Sequence, residues 1–175
     1  MSGQILPYRG KRPLIAGGAF IAPTAVVIGD VEIGEECGIW FGSVLRGDVH
    51  RIRVGARTNI QDGTIVHCTR ERFPCLIGSD ITIGHGAILH GCVLEDGCFI
   101  GMGARVLDGA RVESGGMVAA GALVTPGKIV KSGELWAGSP AKLMRPVTDE
   151  ERAFFSHSVA HYVALARDYQ MEIGR

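Results

Sequence analysis

Aliphatic residues recur every six positions along most of the sequence. This spacing excludes an amphipathic helix, whose apolar residues recur about every 3.6 positions, and a fixed short period is the mark of a repeat architecture. The members are Ile21, Val27, Ile33, Ile39 and Leu45; Val54, Ile60 and Val66; Ile77, Ile83 and Leu89; and Leu94, Ile100, Val106, Val112, Val118, Val124 and Val130. We therefore expect one repeated structural unit over most of the chain.

Each six-residue unit has the composition of a short strand followed by a corner. The residue four positions after each aliphatic is usually small or β-branched, and glycine often lies between them, where it relieves a turning backbone. The 26 glycines among 175 residues are about twice the usual share of roughly 7%. Three corners close a triangular coil of eighteen residues, and coils stack at about 4.8 Å. The sequence predicts a mainly β fold, a parallel β-helix.

The period changes at the C-terminal end of the chain. Thr148 and Glu151 have the spacing of a capping box, in which each side chain bonds the other residue's backbone N–H. Apolar residues then recur at helical spacing; they are Phe155, Val159, Tyr162, Val163, Ala166 and Tyr169. The stacked triangular coils form a three-sided prism, and we expect a helix over about 149–171 that packs on it. The chain would then consist of a β-helix domain, 1–147, and a C-terminal helical segment, 148–175.

Composition narrows the class of partner. The 18 basic and 18 acidic residues balance, which argues against nucleic acid or a membrane surface as a partner. No apolar run approaches the roughly 18 residues that span a bilayer, and the first residues lack the apolar core of a secretory signal. Five cysteines without a CxxC pair suit reduced thiols. We expect a cytoplasmic protein.

The six-residue period breaks three times, and the breaks coincide with histidines. Leu45 to Val54 is three residues too long, Val66 to Ile77 is five too long, and Leu89 to Leu94 is one too short. Insertions in a repeat protein lie at corners and often carry function.

Two of the histidines fall on one column of the prism. Leu45, Val66 and Leu89 are three units apart, so they share a face in successive coils. The outward residues that follow them, Arg46, His67 and His90, therefore form one column. His67 and His90 are close enough to share a metal ion.

The third histidine of interest lies at a corner. His85 stands between two glycines, one coil above Asp62, and points away from the His67–His90 column. It could reach that column only on a neighbouring copy of the chain, and a closed ring of such contacts would be threefold. Three histidines with an open position are typical of catalytic zinc. The other histidines, His50, His157 and His161, are interpreted as ordinary surface or core residues and not as ligands.

The segments RGDVHRIRVGARTNIQDGTIVH and IGHGAILHG resemble the γ-class carbonic anhydrases of the hexapeptide-repeat superfamily, and the resemblance covers nearly the whole chain. It implies left-handed coils and a homotrimer. It also implies zinc, with iron or cobalt as substitutes, bound between subunits by His67, His85 and His90. By position, Arg46 and Asp48 match the family's interface ion pair.

The resemblance also implies residues near the reaction, which converts carbon dioxide to bicarbonate. Gln61 would orient the attacking hydroxide or stabilise developing negative charge, and Asn59 and Gln61 would face the substrate. Asp62 would fix the orientation of a ligand or of an arginine. Tyr162 could reach the rim of the site or simply pack in the core. Two departures predict slow hydration: Val49 replaces an acid after RGD, and Glu71 is the only acid in the loop CTRERFPC.

Two other functions fit parts of the sequence. The segment WAGSPAK resembles the ends of hexapeptide acyltransferases, so an acyl-CoA thioesterase or acyltransferase is one alternative. The other is a non-catalytic trimeric scaffold tied by metal. A closed structural zinc site has four protein ligands, and the sequence offers no clear fourth; Cys68, at a corner beside His67, is a candidate.

Overall fold

The computed structural model describes residues 3–173, which form a parallel β-helix of about seven coils followed by one helix. In chain order the strands are β1 (Gln4–Leu6), β2 (Leu14–Ile15), β3 (Phe20–Ile21), β4 (Val26–Ile33), β5 (Gly38–Ile39), β6 (Val44–Val54), β7 (Asn59–Ile60), β8 (Ile65–His67), β9 (Cys75–Ile77), β10 (Thr82–Ile83), β11 (Ile88–His90), β12 (Val93–Leu94), β13 (Phe99–Ile100), β14 (Arg105–Val106), β15 (Arg111–Val112), β16 (Met117–Val118), β17 (Leu123–Val124), β18 (Ile129–Val130), β19 (Glu134–Gly138) and β20 (Ala141–Pro146). The helix, α1, spans Asp149–Ile173. The prediction of a left-handed parallel β-helix with a C-terminal helix is confirmed.

The strands stack into three faces. The first face contains β1, the start of β4 and β6, then β8, β11, β14 and β17. The second contains β2, the ends of β4 and β6, then β9, β12, β15 and β18. The third contains β3, β5, β7, β10, β13, β16 and β19, and ends on the antiparallel strand β20. Strands β4 and β6 bend around a corner and join the first two faces.

The core is the interior of the prism. All the aliphatic residues of the six-residue period point inward, and none is more than 6% exposed. The predicted register is also correct, because Val66 pairs with both Leu45 and Leu89. The hydrophobic effect therefore fixes the register, since a slip of one residue would turn each aliphatic outward.

Helix α1 begins with the predicted capping box. The Thr148 hydroxyl accepts from the Glu151 N–H at 3.2 Å, and the Glu151 carboxylate accepts from the Thr148 N–H at 2.9 Å. The helix covers strands of the third face, with Phe155, Val159 and Ala166 buried against it. It ends at Ile173, two residues beyond the expected end.

Both ends of the β-helix hold strands that the period did not indicate. Strands β1 and β2 extend the stack by pairing in parallel with β4, although residues 3–15 contain no six-residue repeat. At the other end, β19 and β20 form an antiparallel hairpin.

In the described residues no helix is both long and apolar enough to cross a bilayer. The division into domains 1–147 and 148–175 stays a prediction.

Candidate metal centre

His67 and His90 lie side by side at the end of the first face, on adjacent strands β8 and β11. His67 Nδ1 and His90 Nε2 are 3.1 Å apart, and the ring centroids are 5.1 Å apart. The sequence prediction that the two histidines share a column is correct. The pairing of Leu89 with Val66 brings them together, because each histidine is the next outward residue.

An aspartate holds the far nitrogen of each ring. His67 Nε2 lies 3.0 Å from Asp48 Oδ1, and His90 Nδ1 lies 2.6 Å from Asp108 Oδ1. A carboxylate only accepts hydrogen bonds, so each of these ring nitrogens carries the proton. In a neutral imidazole the other nitrogen then has a free lone pair. The two facing nitrogens are therefore both lone-pair donors directed at the space between them.

This arrangement fits a metal ion. Two nitrogens bound to one tetrahedral zinc at about 2.0–2.1 Å are about 3.3 Å apart, close to the 3.1 Å separation of the facing nitrogens. A carboxylate behind a ligating histidine fixes its tautomer and ring orientation. The donor set, imidazole nitrogen, suits zinc and also iron and cobalt.

Electrostatics favour a neutral His67 ring and charged Asp48 and Asp108 carboxylates here. Burial lowers the pKa of His67, and this effect together with Arg46 and His90 outweighs the opposing attraction of Asp48. Burial raises the pKa of Asp48, but hydrogen bonds from His67 and Arg46 outweigh it and hold that pKa below its usual value. Asp108 has a lowered pKa in the same way, with Thr69 and His90 as donors against the effect of burial.

His85 lies at the other end of the first face. It occupies the corner between β10 and β11, and its Nδ1 is 2.8 Å from Asp62 Oδ2. The Nε2 of His85 is therefore free to bind, and the ring is about half exposed on the ridge. Asp62 lies beside His85 at the matching corner, as the sequence predicted. Its role in fixing a ligand stays a prediction. The structure keeps His85 apart from His67 and His90 of the same chain.

The residues expected near the reaction lie on the His85 side of the prism. Gln61 is 5% exposed, and its Nε2 donates to Asn59 Oδ1 at 3.0 Å. Asn59 in turn donates to Thr82 at 2.9 Å, and Thr82 hydrogen-bonds Ser158 of α1. The amide of Gln61 is thus held by a polar chain that reaches the helix.

Tyr162 packs against the core and also lies near Asp62, and its role at the rim of the site stays a prediction. Its ring packs edge-on against Trp40, with centroids 5.4 Å apart. Burial raises the pKa of its hydroxyl, and the nearby charge of Asp62 raises it further. Tyr162 is therefore partly in the core and partly near the Asp62–His85 corner.

Arg46 and Asp48 form an ion pair within the chain, with Arg46 Nη1 2.5 Å from Asp48 Oδ2. Their role at a subunit interface stays a prediction.

Cys68 is a poor fourth ligand, because its side chain is buried and its Sγ donates to the Arg51 carbonyl at 3.4 Å. Within residues 3–173 no group of three or more His, Cys, Asp or Glu side chains is placed to hold a metal ion.

Sequence reasoning missed Asp108 and Thr69. Asp108 follows Val106 by two residues, as Gly91 follows Leu89, and Val106 pairs with Leu89. The six-residue period therefore carried the signal that Asp108 lies beside His90. Thr69, in the loop after His67, donates to Asp108 Oδ2 at 2.7 Å.

The fold and the histidine cluster define a hexapeptide-repeat protein with a candidate metal centre. Among solved structures, a hexapeptide transferase family protein from Anaplasma phagocytophilum is 52% identical, covers 95% of this chain and 98% of that chain, and has a TM-score of 0.91. No protein-family model matches the sequence.

Curated relatives narrow the class to one family. Gamma carbonic anhydrase 2, mitochondrial, of Arabidopsis thaliana is 50% identical over 167 residues, which are 93% of this chain and 60% of the relative. Carbonic anhydrase of Geobacillus kaustophilus is 41% identical over 95% of this chain and 91% of its own length. Protein YrdA of Escherichia coli is 44% identical over 97% and 95%. The chain belongs to the gamma carbonic anhydrase family, and it spans about three fifths of the length of the plant relative.

Proposed function

We propose that this protein is a carbonic anhydrase-like enzyme that binds zinc between subunits of a homotrimer and hydrates carbon dioxide. The observation that carries the proposal is the pair of converging nitrogens, His67 Nδ1 and His90 Nε2, each backed by an aspartate. His85 of a neighbouring copy completes three nitrogen ligands. Three protein ligands leave a position open, which is typical of catalytic zinc.

The surface of the first face supports association of copies. The outward residues that precede the inward column include Ile65 and Ile88, which pair across β8 and β11 and are 46% and 38% exposed. An apolar strip of this kind favours burial against another protein surface. It lies between the corner of His85 and the end of the face that holds His67 and His90. A second copy that covers the strip would thus meet both parts of the site.

The residues around the site have separable tasks in hydration. When bound, zinc supplies a Lewis acid that makes hydroxide available from water near neutral pH. Asp48, Asp62 and Asp108 hold the three histidine rings. Gln61, fixed by Asn59, directs its remaining amide hydrogen toward the reacting oxygen, and Tyr162 closes the rim of the site beside Asp62.

Hydration also releases a proton for each bicarbonate, so water must be deprotonated again in every turnover. Val49 offers no carboxylate, and Glu71 is exposed at the turn of its loop. Glu71, His50 and Asp48 line one open cavity of about 340 Å³. With Glu71 as the only acid of that loop, we expect slow hydration.

The experiment that tests the proposal is metal analysis of purified trimers together with stopped-flow hydration of carbon dioxide. His85→Ala should lose stoichiometric zinc and hydration, although His67 and His90 remain. His157→Ala, which alters an exposed histidine of α1, should retain both. Full zinc in His85→Ala would contradict the shared site.

The same preparation separates the alternatives. Zinc that depends on His85 without any hydration would favour a scaffold tied by metal. Turnover of an acyl-CoA ester without hydration would favour a thioesterase or acyltransferase.

A further inference from the structure

Three side chains from three separate coils form one hydrogen-bonded chain that ends at a candidate ligand. The Thr69 hydroxyl donates to Asp108 Oδ2 at 2.7 Å, and His90 Nδ1 donates to Asp108 Oδ1 at 2.6 Å. Thr69 and Asp108 are 39 residues apart in sequence. Both carboxylate oxygens are therefore occupied, and the plane of the Asp108 carboxylate is fixed from two sides.

The loop of residues 68–74 is built to hold Thr69 in place. Thr69 and Phe73 pair their backbones across the turn, at 3.1 and 3.2 Å. Phe73 then packs over Gly91 and Gly109. If these glycines carried a Cβ, the one at Gly91 would lie 2.7 Å from Phe73 Cβ, and the one at Gly109 would lie 3.0 Å from Phe73 Cε1. Any side chain at Gly91 would displace Phe73 and the loop, so the glycine lets the loop lie flat on the prism.

We propose that Asp108 is a positioning residue for His90, and that the loop 68–74 acts on the metal centre through Thr69 and Asp108. The proposal rests on the function proposed above. It assigns the five-residue insertion after Val66 a mechanical role in ligand placement, which is separate from any proton transfer by Glu71.

The physical argument concerns both the tautomer and the rotation of the His90 ring. With Asp108 as acceptor, the proton stays on Nδ1 and the Nε2 lone pair faces His67 Nδ1. Without the carboxylate, the proton can move to Nε2, and the ring can turn about its side-chain bonds. Either change removes a lone pair from the metal position. Partners of this kind typically contribute about 10–100-fold to metal affinity.

The test combines two measurements on the purified full chain, before and after addition of zinc. Nitrogen-15 NMR of labelled histidine in the metal-free protein reports which nitrogen of His90 carries the proton. Competition with a chelator gives the zinc dissociation constant. In Asp108→Ala we expect a shift of the proton toward Nε2 and about 10–100-fold weaker zinc binding.

Two further variants should weaken zinc binding less than Asp108→Ala does. Asp108→Asn keeps an amide oxygen that can accept from Nδ1, so it should recover part of the affinity. Thr69→Val removes only the buttressing hydroxyl, and its loss of affinity should be smaller than that of Asp108→Ala. The matched control is Asp96→Asn, since Asp96 accepts from the Ser79 N–H at another corner, and both measurements should stay unchanged. Thermal unfolding of each metal-free variant checks the fold.

Unchanged tautomer and unchanged zinc affinity in folded Asp108→Ala would overturn this proposal while leaving the shared zinc site intact. A wild-type protein that binds no zinc would overturn the proposed function and the role of Asp108 together.

Discussion

The coils from Leu94 to Val130 and those from Leu45 to Leu94 use the same core but differ in regularity. In the first of these two regions the aliphatic period runs without a break, and every corner repeats the last. In the second, three changes of spacing fall within fifty residues. All three candidate histidine ligands lie in the interrupted region. The regular region contributes Asp108, which accepts a hydrogen bond from His90, from one of its corners.

The difference shows how a repeat protein acquires a site without losing its core. Three extra residues form a bulge in β6 opposite Gly29 and Val31 of β4, which places Asp48 beside His67. Five extra residues form the loop that carries Thr69. One missing residue tightens the turn at Gly91, whose φ is +56°. Each irregularity alters a corner, while the inward residues keep their register.

The largest expected effect tests whether the interrupted coils have a closely packed core. Leu89→Ala removes a fully buried side chain and should lower the free energy of unfolding by about 2–5 kcal/mol, from lost burial and a residual cavity. Urea unfolding of the metal-free protein at fixed concentration measures it. Ile129→Ala, at a 46% exposed position of the regular region, is the control and should change little. Equal losses for the two variants would mean that the interrupted coils are loosely packed.

A smaller effect on stability should distinguish a corner of the interrupted region, at Gly91, from a corner of the regular region, at Gly103. Gly91 and Gly103 both have positive φ, which costs an L-residue roughly 1–2 kcal/mol. A Cβ at Gly103 meets nothing within 4 Å, whereas one at Gly91 meets Asp108 and Phe73. Gly91→Ala should therefore lose about 1–3 kcal/mol more stability than Gly103→Ala, and should also weaken zinc binding. Similar losses, with zinc affinity intact in both, would show that the Gly91 corner is not special.

The smallest effect concerns α1, which contacts the third face at β3, β5, β7 and β10, in the first and interrupted coils. Hydrogen bonds from Arg145, and then from Thr148, lower the pKa of Glu151 from 4.5 to about 2. The folded pKa is the lower one, so this stabilisation is present above pH 4.5 and is lost as the pH falls toward 2.

Glu151→Gln keeps a capping side chain but loses the ion pair with Arg145, so it should lower the free energy of unfolding by about 0.2–1 kcal/mol at pH 7, and its difference from wild type should shrink on acidification. Denaturation followed by circular dichroism at several pH values measures it. A difference that stays constant down to pH 2 would show that the pKa of Glu151 is not lowered in the folded protein.

The sequence predicted the fold well because its signal was repeated many times. The column of Leu45, Val66 and Leu89 followed from counting alone, and the Thr148–Glu151 cap from local chemistry. Strands β1 and β2 were missed because they occur once and copy no repeat. Their place in the stack depends on pairing with β4, a tertiary contact.

The candidate histidine ligands of the site could be predicted from the sequence, but the side chains that hydrogen-bond to them were harder to predict. His67 and His90 follow inward residues directly, so the register fixes them. Asp108 lies at a regular corner one coil beyond Gly91, so the period places its backbone beside His90, but its hydrogen bond to His90 depends on the direction of its side chain. Cys68 was expected at a corner, but its side chain points into the core. Periodicity thus locates backbones, while hydrogen bonds decide which neighbouring side chains act together.

The shared site is tested most directly by mixing two defective chains. His85→Ala retains the paired histidines, and a double variant with His67→Ala and His90→Ala retains only the ridge histidine. Each protein alone should bind no zinc. After unfolding and refolding together in equal amounts, about one interface in four should combine the intact halves, and zinc and hydration should return in that proportion. Full zinc in either variant alone, or none in mixed trimers shown to form, would contradict a metal held between chains.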